Sequence, residues 1–299
     1  MTEKIVKNPP EENTVIFAGF YEDSGEIENL VIPEGMVEIG ENAFRGFTSI
    51  RSVTLPKSMK RISACAFAGC ENLEKVVLNY GLEEILDEAF SSCNSLREII
   101  IPDTVKRLGE GCFEACASLS SIKLSESITM IGSGAFAYCF NLTDVTIPDS
   151  CVLVEFNAFA SCFSLEAIKL SDNMGLIDES TFEGCRSLKV VDMPTKLVKI
   201  GRRAFKGCTS LASLILPVNV QVIGFDAFAD CSVLKRIAIP KDIREIEDFD
   251  IFGGCDSLSD ISFGGTKERW EALLGRNILS VQKSDCTVSV PKVSFMNLE

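Results

Sequence analysis

The chain has 299 residues, 46% hydrophobic and 24% charged, which supplies a large core and excludes a disordered polymer. Forty-three acidic against 29 basic residues leave a net charge of −14, which argues against nucleic acid and anionic membrane as partners. There is no histidine, so Ser-His-Asp and Cys-His catalysis and imidazole metal ligation are excluded.

Residues 1–26 are expected to form an N-terminal cap. The opening MTEKIVKNPPEENTVIFAGF lacks the apolar stretch of a secretory signal. A complete chain would then be cytoplasmic; a trimmed one would be secreted or displayed at a cell surface. Residues 14–20 read as an edge strand or half-coil. No apolar run is long enough to span a bilayer.

Residues 27–263 carry a repeat. Nine of the thirteen cysteines fall on one ladder, from Cys70, Cys93 and Cys116 to Cys231 at steps of 23 residues, with Cys255 one residue further on. A phenylalanine lies three residues before each cysteine, and a leucine three residues after it. Phe44 starts the phenylalanine ladder one coil earlier, with Phe47 in the cysteine's place. Such recurrence is the signature of stacked units that share one core. Within a unit, Leu214-Ile215-Leu216 alternates in and out as a short strand, and Pro217 ends it. Val220 and Ile223 mark a second short strand. Glycine at positions such as Gly132 and Gly224 suggests a corner with unusual dihedrals. The Ala-Phe-x-x-Cys segment spaces its apolar residues by three, which predicts one helical or 3₁₀ turn. Ten coils and an eleventh strand at Ile261–Phe263 make a solenoid roughly 50 Å long.

The recurring IGxxAFxxC unit resembles the BspA-like leucine-rich repeat. The resemblance covers residues 27–263. It implies a right-handed leucine-rich-repeat superhelix with a parallel β-sheet on its concave face. It also implies the company of bacterial surface or secreted adhesins and protein-binding modules.

Residues 264–299 are expected to form a C-terminal cap. Thr266 stands as helix N-cap and Gly275 as stop, and Trp270, Leu273 and Leu274 share one face. The ending GGT-x-x-x-W is similar to the segment that follows such repeats in that family. The tail around Cys286–Val290 alternates like one more strand.

The ladder cysteines read as core, because stacked equivalents point their Cβ atoms in parallel and no CxxC pair exists. Cys65, on a position otherwise polar or glycine, is the candidate exposed thiol. Gly132-x-Gly134 is too short a motif for a phosphate loop. The acidic run from Asp242 to Asp250 has no calcium-loop spacing and reads as a solvated face. No cofactor or metal is implied.

Two outward positions per long strand remain. They yield the apolar pair Val77 and Ile100 and the cluster Val190, Ile215 and Ala238, separated by Lys123 and Lys169. With Lys169, Asp192 and Arg236 they form the candidate binding surface, non-enzymatic, for a protein or glycoprotein. The rival is a carboxylate glycoside hydrolase using Asp144 and Asp192, placed two coils apart at roughly 9–10 Å.

Overall fold

Alternation of apolar and polar residues gives each coil a three-residue strand with its middle side chain turned inward. In Glu98–Ile100, Ile99 is buried and both neighbours are exposed. Such strands begin at Asn29–Val31 and recur through Arg236–Ile239 to Asp260–Phe263. A computed structural model of the protein describes residues 3–5, 14–17, 27–247, 251–274 and 292–295. The recorded pairings between coils are all parallel, and Asn29 lies beside Ser52 and Ser52 beside Lys75. A second, shorter strand in each coil, from Met36–Ile39 to Glu245–Ile246, builds a second side by the same rule. The result is a parallel-stranded solenoid of about ten turns. Lys267–Leu274 is the one helix among the described residues.

The core follows from the 23-residue register. Phe44, Phe67, Phe90, Phe113, Phe136, Phe159, Phe182, Phe205, Phe228 and Phe252 form a continuous stack. Its ring centroids lie 5.1–6.0 Å apart and its planes within 20° of parallel. Centroid spacings above the coil spacing of roughly 4.8 Å mean offset rings, the arrangement that ring quadrupoles favour. Each ladder cysteine sits below this stack and points its Sγ at a phenylalanine carbonyl one coil back. Cys139 reaches Phe113 O at 3.2 Å, and Cys162 reaches Phe136 O at 3.2 Å. The thiol is small enough for the layer and still donates weakly to a buried oxygen, which neither alanine nor leucine can do. All twelve described cysteines are free, eleven of them buried.

Two sequence expectations about the third side change. The Ala-Phe-x-x-Cys segment closes i→i−3 bonds, the 3₁₀ pattern, only at alternate amides. Ala43 and Arg45 donate to Gly40 and Asn42, whereas Asn42, Phe44 and Gly46 donate to Ala64, Ala66 and Ala68 of the next coil. This zigzag requires two left-handed residues per turn segment. Twelve of them are not glycine, including Cys65 (φ +53°), Tyr138 (φ +61°) and Arg203 (φ +54°). The corner glycines, by contrast, are not left-handed. A Cβ on Gly132 would lie 2.8 Å from the Gly109 carbonyl carbon, so close coil-to-coil approach selects them.

Hydrogen bonding along the long strands is interrupted twice. No pairing joins Lys75–Val77 to Glu98–Ile100, or Val190–Asp192 to Ser213–Ile215. The phenylalanine stack runs through both junctions, at 5.4 Å between Phe90 and Phe113 and 5.7 Å between Phe205 and Phe228. The short strands and turn segments also stay hydrogen-bonded across both junctions, as in Phe90 N to Cys112 O and Phe205 N to Ala227 O, so only the long-strand side is interrupted.

On the short strands, charges of opposite sign face each other one coil apart. Lys60 Nζ meets Glu83 at 2.8 Å, and Arg61 pairs with Glu84 and, at 3.9 Å, with Glu38. The ladder stops there, because Arg107 turns to Met130 Sδ at 3.6 Å instead of back to Glu84. The hydrogen bond from Lys60 holds the Glu83 carboxyl below its ordinary range. Its contribution is therefore present above the unfolded carboxylate pKa and lost as pH falls through the folded one. Glu83→Lys combined with Glu84→Lys should lower the melting temperature by a few degrees at low salt and by much less near 1 M salt. Thermal denaturation at the two salt levels checks this, and equal losses would contradict a charge ladder.

At the ends, Thr14–Ile16 pairs with Met36–Ile39, and Glu3–Ile5 with Asn29–Val31. Thr266 Oγ1 accepts from Arg269 N at 3.3 Å as an N-cap, and buried Trp270 packs on Phe263 with centroids 5.1 Å apart. Lys292–Phe295 adds a parallel strand to Asp260–Phe263. The expected stop at Gly275, the strand around Cys286–Val290, and Asp248 and Asp250 of the acidic run lie outside the described residues.

Candidate partner-binding face

The period-2 alternation that buries one residue of each long strand turns two others outward, and register lines them up in two columns. Asp144, Ala167 and Val190 lie side by side in the first, and Thr146, Lys169 and Asp192 in the second. Ser213 and Arg236 extend the first column, and Ile215 and Ala238 the second. Ile215 and Ala238 are therefore direct neighbours, and Val190 lies diagonally across the interrupted junction. Ile215 is 77% exposed, Ile100 64%, Val190 58% and Val77 43%. Such exposure is unusual for β-branched residues that have a buried face available one position away. Both apolar groups flank a break in the ladder, a coincidence that sequence alone does not reveal.

The charges between them are set by the same columns. Lys169 is the neighbour of Asp192, and Arg236 that of Asp260. A shallow depression of about 480 Å³ lies between coils beside Lys123, Asp144, Asp149 and Lys169.

The register also corrects the geometry assumed for a carboxylate pair. Asp144 occupies the first column and Asp192 the second, so their separation combines two coil spacings with two residues along a strand. Their Cα atoms are then roughly 12 Å apart, not the roughly 9–10 Å of two coil spacings alone. Neither Lys123 nor Lys169 closes an ion pair within 4 Å among the described residues.

Two other candidate sites resolve as structural. The amides of Gly132, Ser133 and Gly134 donate to Leu108 O, Glu155 Oε2 and Phe156 O, which leaves none for a phosphate. Cys65 is the one described cysteine that is not buried. Partial burial, followed by Glu88 with its carboxylate 3.5 Å from the sulfur, raises the thiol pKa and slows its reaction.

A family model described as a BspA type leucine rich repeat region matches residues 14–143 and 152–274 in six copies. The chain belongs to that family. Among solved structures, the T. pallidum leucine-rich repeat protein TpLRR is 28% identical, with 70% of this chain and 91% of that one covered and a TM-score of 0.50. A leucine-rich repeat protein from Eubacterium ventriosum is 20% identical over 82% of this chain and 87% of its own, also with a TM-score of 0.50. A leucine rich cell surface protein from Faecalibacterium prausnitzii is 27% identical over 83% and 82%, with a TM-score of 0.46. No curated protein matches the chain. The BspA-type assignment covers the coils whose outward residues form the two columns. It describes a repeat scaffold. Among the described residues no helix is long and apolar enough to cross a membrane.

Proposed function

We propose that this BspA-type solenoid is a non-catalytic scaffold that binds a protein or glycoprotein on its long-strand face. The contact centres on Val190, Ile215 and Ala238. Lys169, Asp192 and Arg236 orient the partner, and Val77 with Ile100 forms a second contact about five coils away. The observation that carries this reading is the exposure of β-branched side chains, up to 77% at Ile215, on a face whose outward columns are set by the coil register. A preformed face binds without the cost of ordering it, and apolar centres rimmed by charge carry most of the energy in such interfaces. The resemblance to surface adhesins suggests a setting outside the cytoplasm, and thiols shielded in the core would persist there unpaired.

Partner capture on immobilised protein, followed by calorimetry with the captured partner, tests the reading. Ile215→Asp should weaken binding by about 2 kcal/mol or more and leave folding stability within about 0.5 kcal/mol. Binding unaffected by Ile215→Asp and Val77→Asp, yet lost on changing Leu153 or Leu176 of the short strands, would refute it.

A further inference from the structure

The third side of the solenoid, built from the turn segments, carries a charge pattern that the partner-binding reading does not use. Hydrogen bonds from Gly111 to Ser133, Gly134 to Phe156, Asn157 to Glu179 and Ser180 to Arg202 stack these segments in register. One resulting column reads Glu110, Ser133, Phe156, Glu179, Arg202. A second, four residues further along each segment, reads Glu114, Ala137, Ala160, Glu183, Lys206. The acidic end and the basic end of both columns are thus equidistant from Phe156 and Ala160, two coils away on either side.

We propose that this turn face pairs with a second copy of the chain as an antiparallel dimer whose two-fold axis passes through Phe156. An axis lying in the interface and crossing the solenoid reverses each column onto itself. Glu110 then faces Arg202 of the second copy, Glu114 faces its Lys206, and Gly111 faces its Arg203. Phe156 meets its own equivalent, as does Ala160. Tyr138 meets Gly184, which leaves room for the ring. Glu110, Glu114, Arg202, Arg203 and Lys206 thus each meet an opposite charge or a glycine, while Glu88 and Asp226, one coil further out, meet each other.

The state of these side chains in one copy points the same way. Glu88, Glu110 and Glu114 crowd around a depression of about 420 Å³ that Tyr138 and Phe156 also line. None of the three forms an ion pair among the described residues. Burial and then the neighbouring carboxylates Glu88 and Glu110 hold the Glu114 pKa above its ordinary value. At the other end, the Arg202 guanidinium lies 5.4 Å over the Phe225 ring and has no carboxylate partner among the described residues. Lys206 and Arg203 share the single carboxylate of Asp226, at 2.8 and 3.9 Å. Tyr138 is 46% exposed and Phe156 49%.

Five coils of this ridge offer roughly 400 Å² per copy, about half of what a standard stable interface buries. The dimer is therefore weak and reversible, dissociating at tens of micromolar or above. It also weakens with salt, because charge supplies its ends.

Sedimentation equilibrium of the full chain from about 5 to 500 µM tests the proposal. Wild type should pass from monomer to dimer across that range at low salt and stay monomeric near 1 M salt. Arg202→Glu with Arg203→Glu makes both ends acidic and should leave a monomer, as Glu110→Arg with Glu114→Arg should by making both ends basic, with circular dichroism checking that both variants keep the native fold. An equimolar mixture of the two variants should dimerise again, since one then carries two basic ends and the other two acidic ends. A monomer throughout, a dimer indifferent to both variants, a mixture that fails to reassociate, or a dimer broken by Ile215→Asp alone would each overturn it.

Discussion

Raising the pH from 8 to about 10.5 should unfold the solenoid, because its core is lined with thiols that can ionise only outside it. In an unfolded chain a cysteine loses its proton at about pH 8.5. Burial pushes Cys70, Cys116 and Cys185 up to about 12 and Cys151 up to about 11. Desolvation likewise holds Cys93, Cys112, Cys139, Cys162 and Cys208 well above their ordinary value. As pH rises, the unfolded chain therefore releases protons first and is favoured. Stability is complete below about 8.5 and is lost progressively as pH climbs toward about 12. Each such thiol costs about 1.4 kcal/mol per pH unit within that window, so nine together cost on the order of 10 kcal/mol per unit. That matches the whole stability of an ordinary domain. Circular dichroism against pH checks the expectation, and Cys139→Ala with Cys162→Ala should make the alkaline decline shallower. A native spectrum retained through pH 11 would contradict it.

The largest single-residue loss should follow Phe136→Ala, at about 3–5 kcal/mol. Phe136 is fully buried, with ring centroids 5.6 Å from Phe113 and 5.3 Å from Phe159. The coils on both sides are fixed by the cysteine, leucine and strand ladders, so they cannot close the cavity. Phe252→Ala should cost markedly less, since that ring is only half-buried and ends the stack. Urea denaturation of the two variants checks the difference. Equal losses would mean that the stack does not act as a continuous core.

The strands, the buried ladders and the helix around Trp270 were all legible in the sequence, because each depends on side-chain polarity repeating at a fixed interval. The turn segments were not. Their left-handed positions hold glycine in some coils, as at Gly46, Gly69 and Gly207, but Asn42, Cys65, Glu88, Tyr138 or Arg203 in others, so no single residue type marks them. The corner glycines gave a signal with a different cause, the approach of a neighbouring backbone. Outward residues were assigned correctly to a face, yet alternation does not say which column each joins. Asp144 and Asp192 consequently looked closer than they are. The interrupted junctions beside Val77 and Val190 were invisible because the strand sequences there resemble those at paired junctions. Opposed charges at Glu110 and Arg202 became meaningful only once the turn segments were known to stack.

The view of this molecule as stacked coils around an unpaired thiol core is tested most directly by counting its thiols. Titration in denaturant without reductant should find all thirteen cysteines reactive, and the folded protein should expose one slowly reacting thiol, Cys65, among the twelve described. Four or more disulfides, or several thiols reacting rapidly in the folded state, would contradict it.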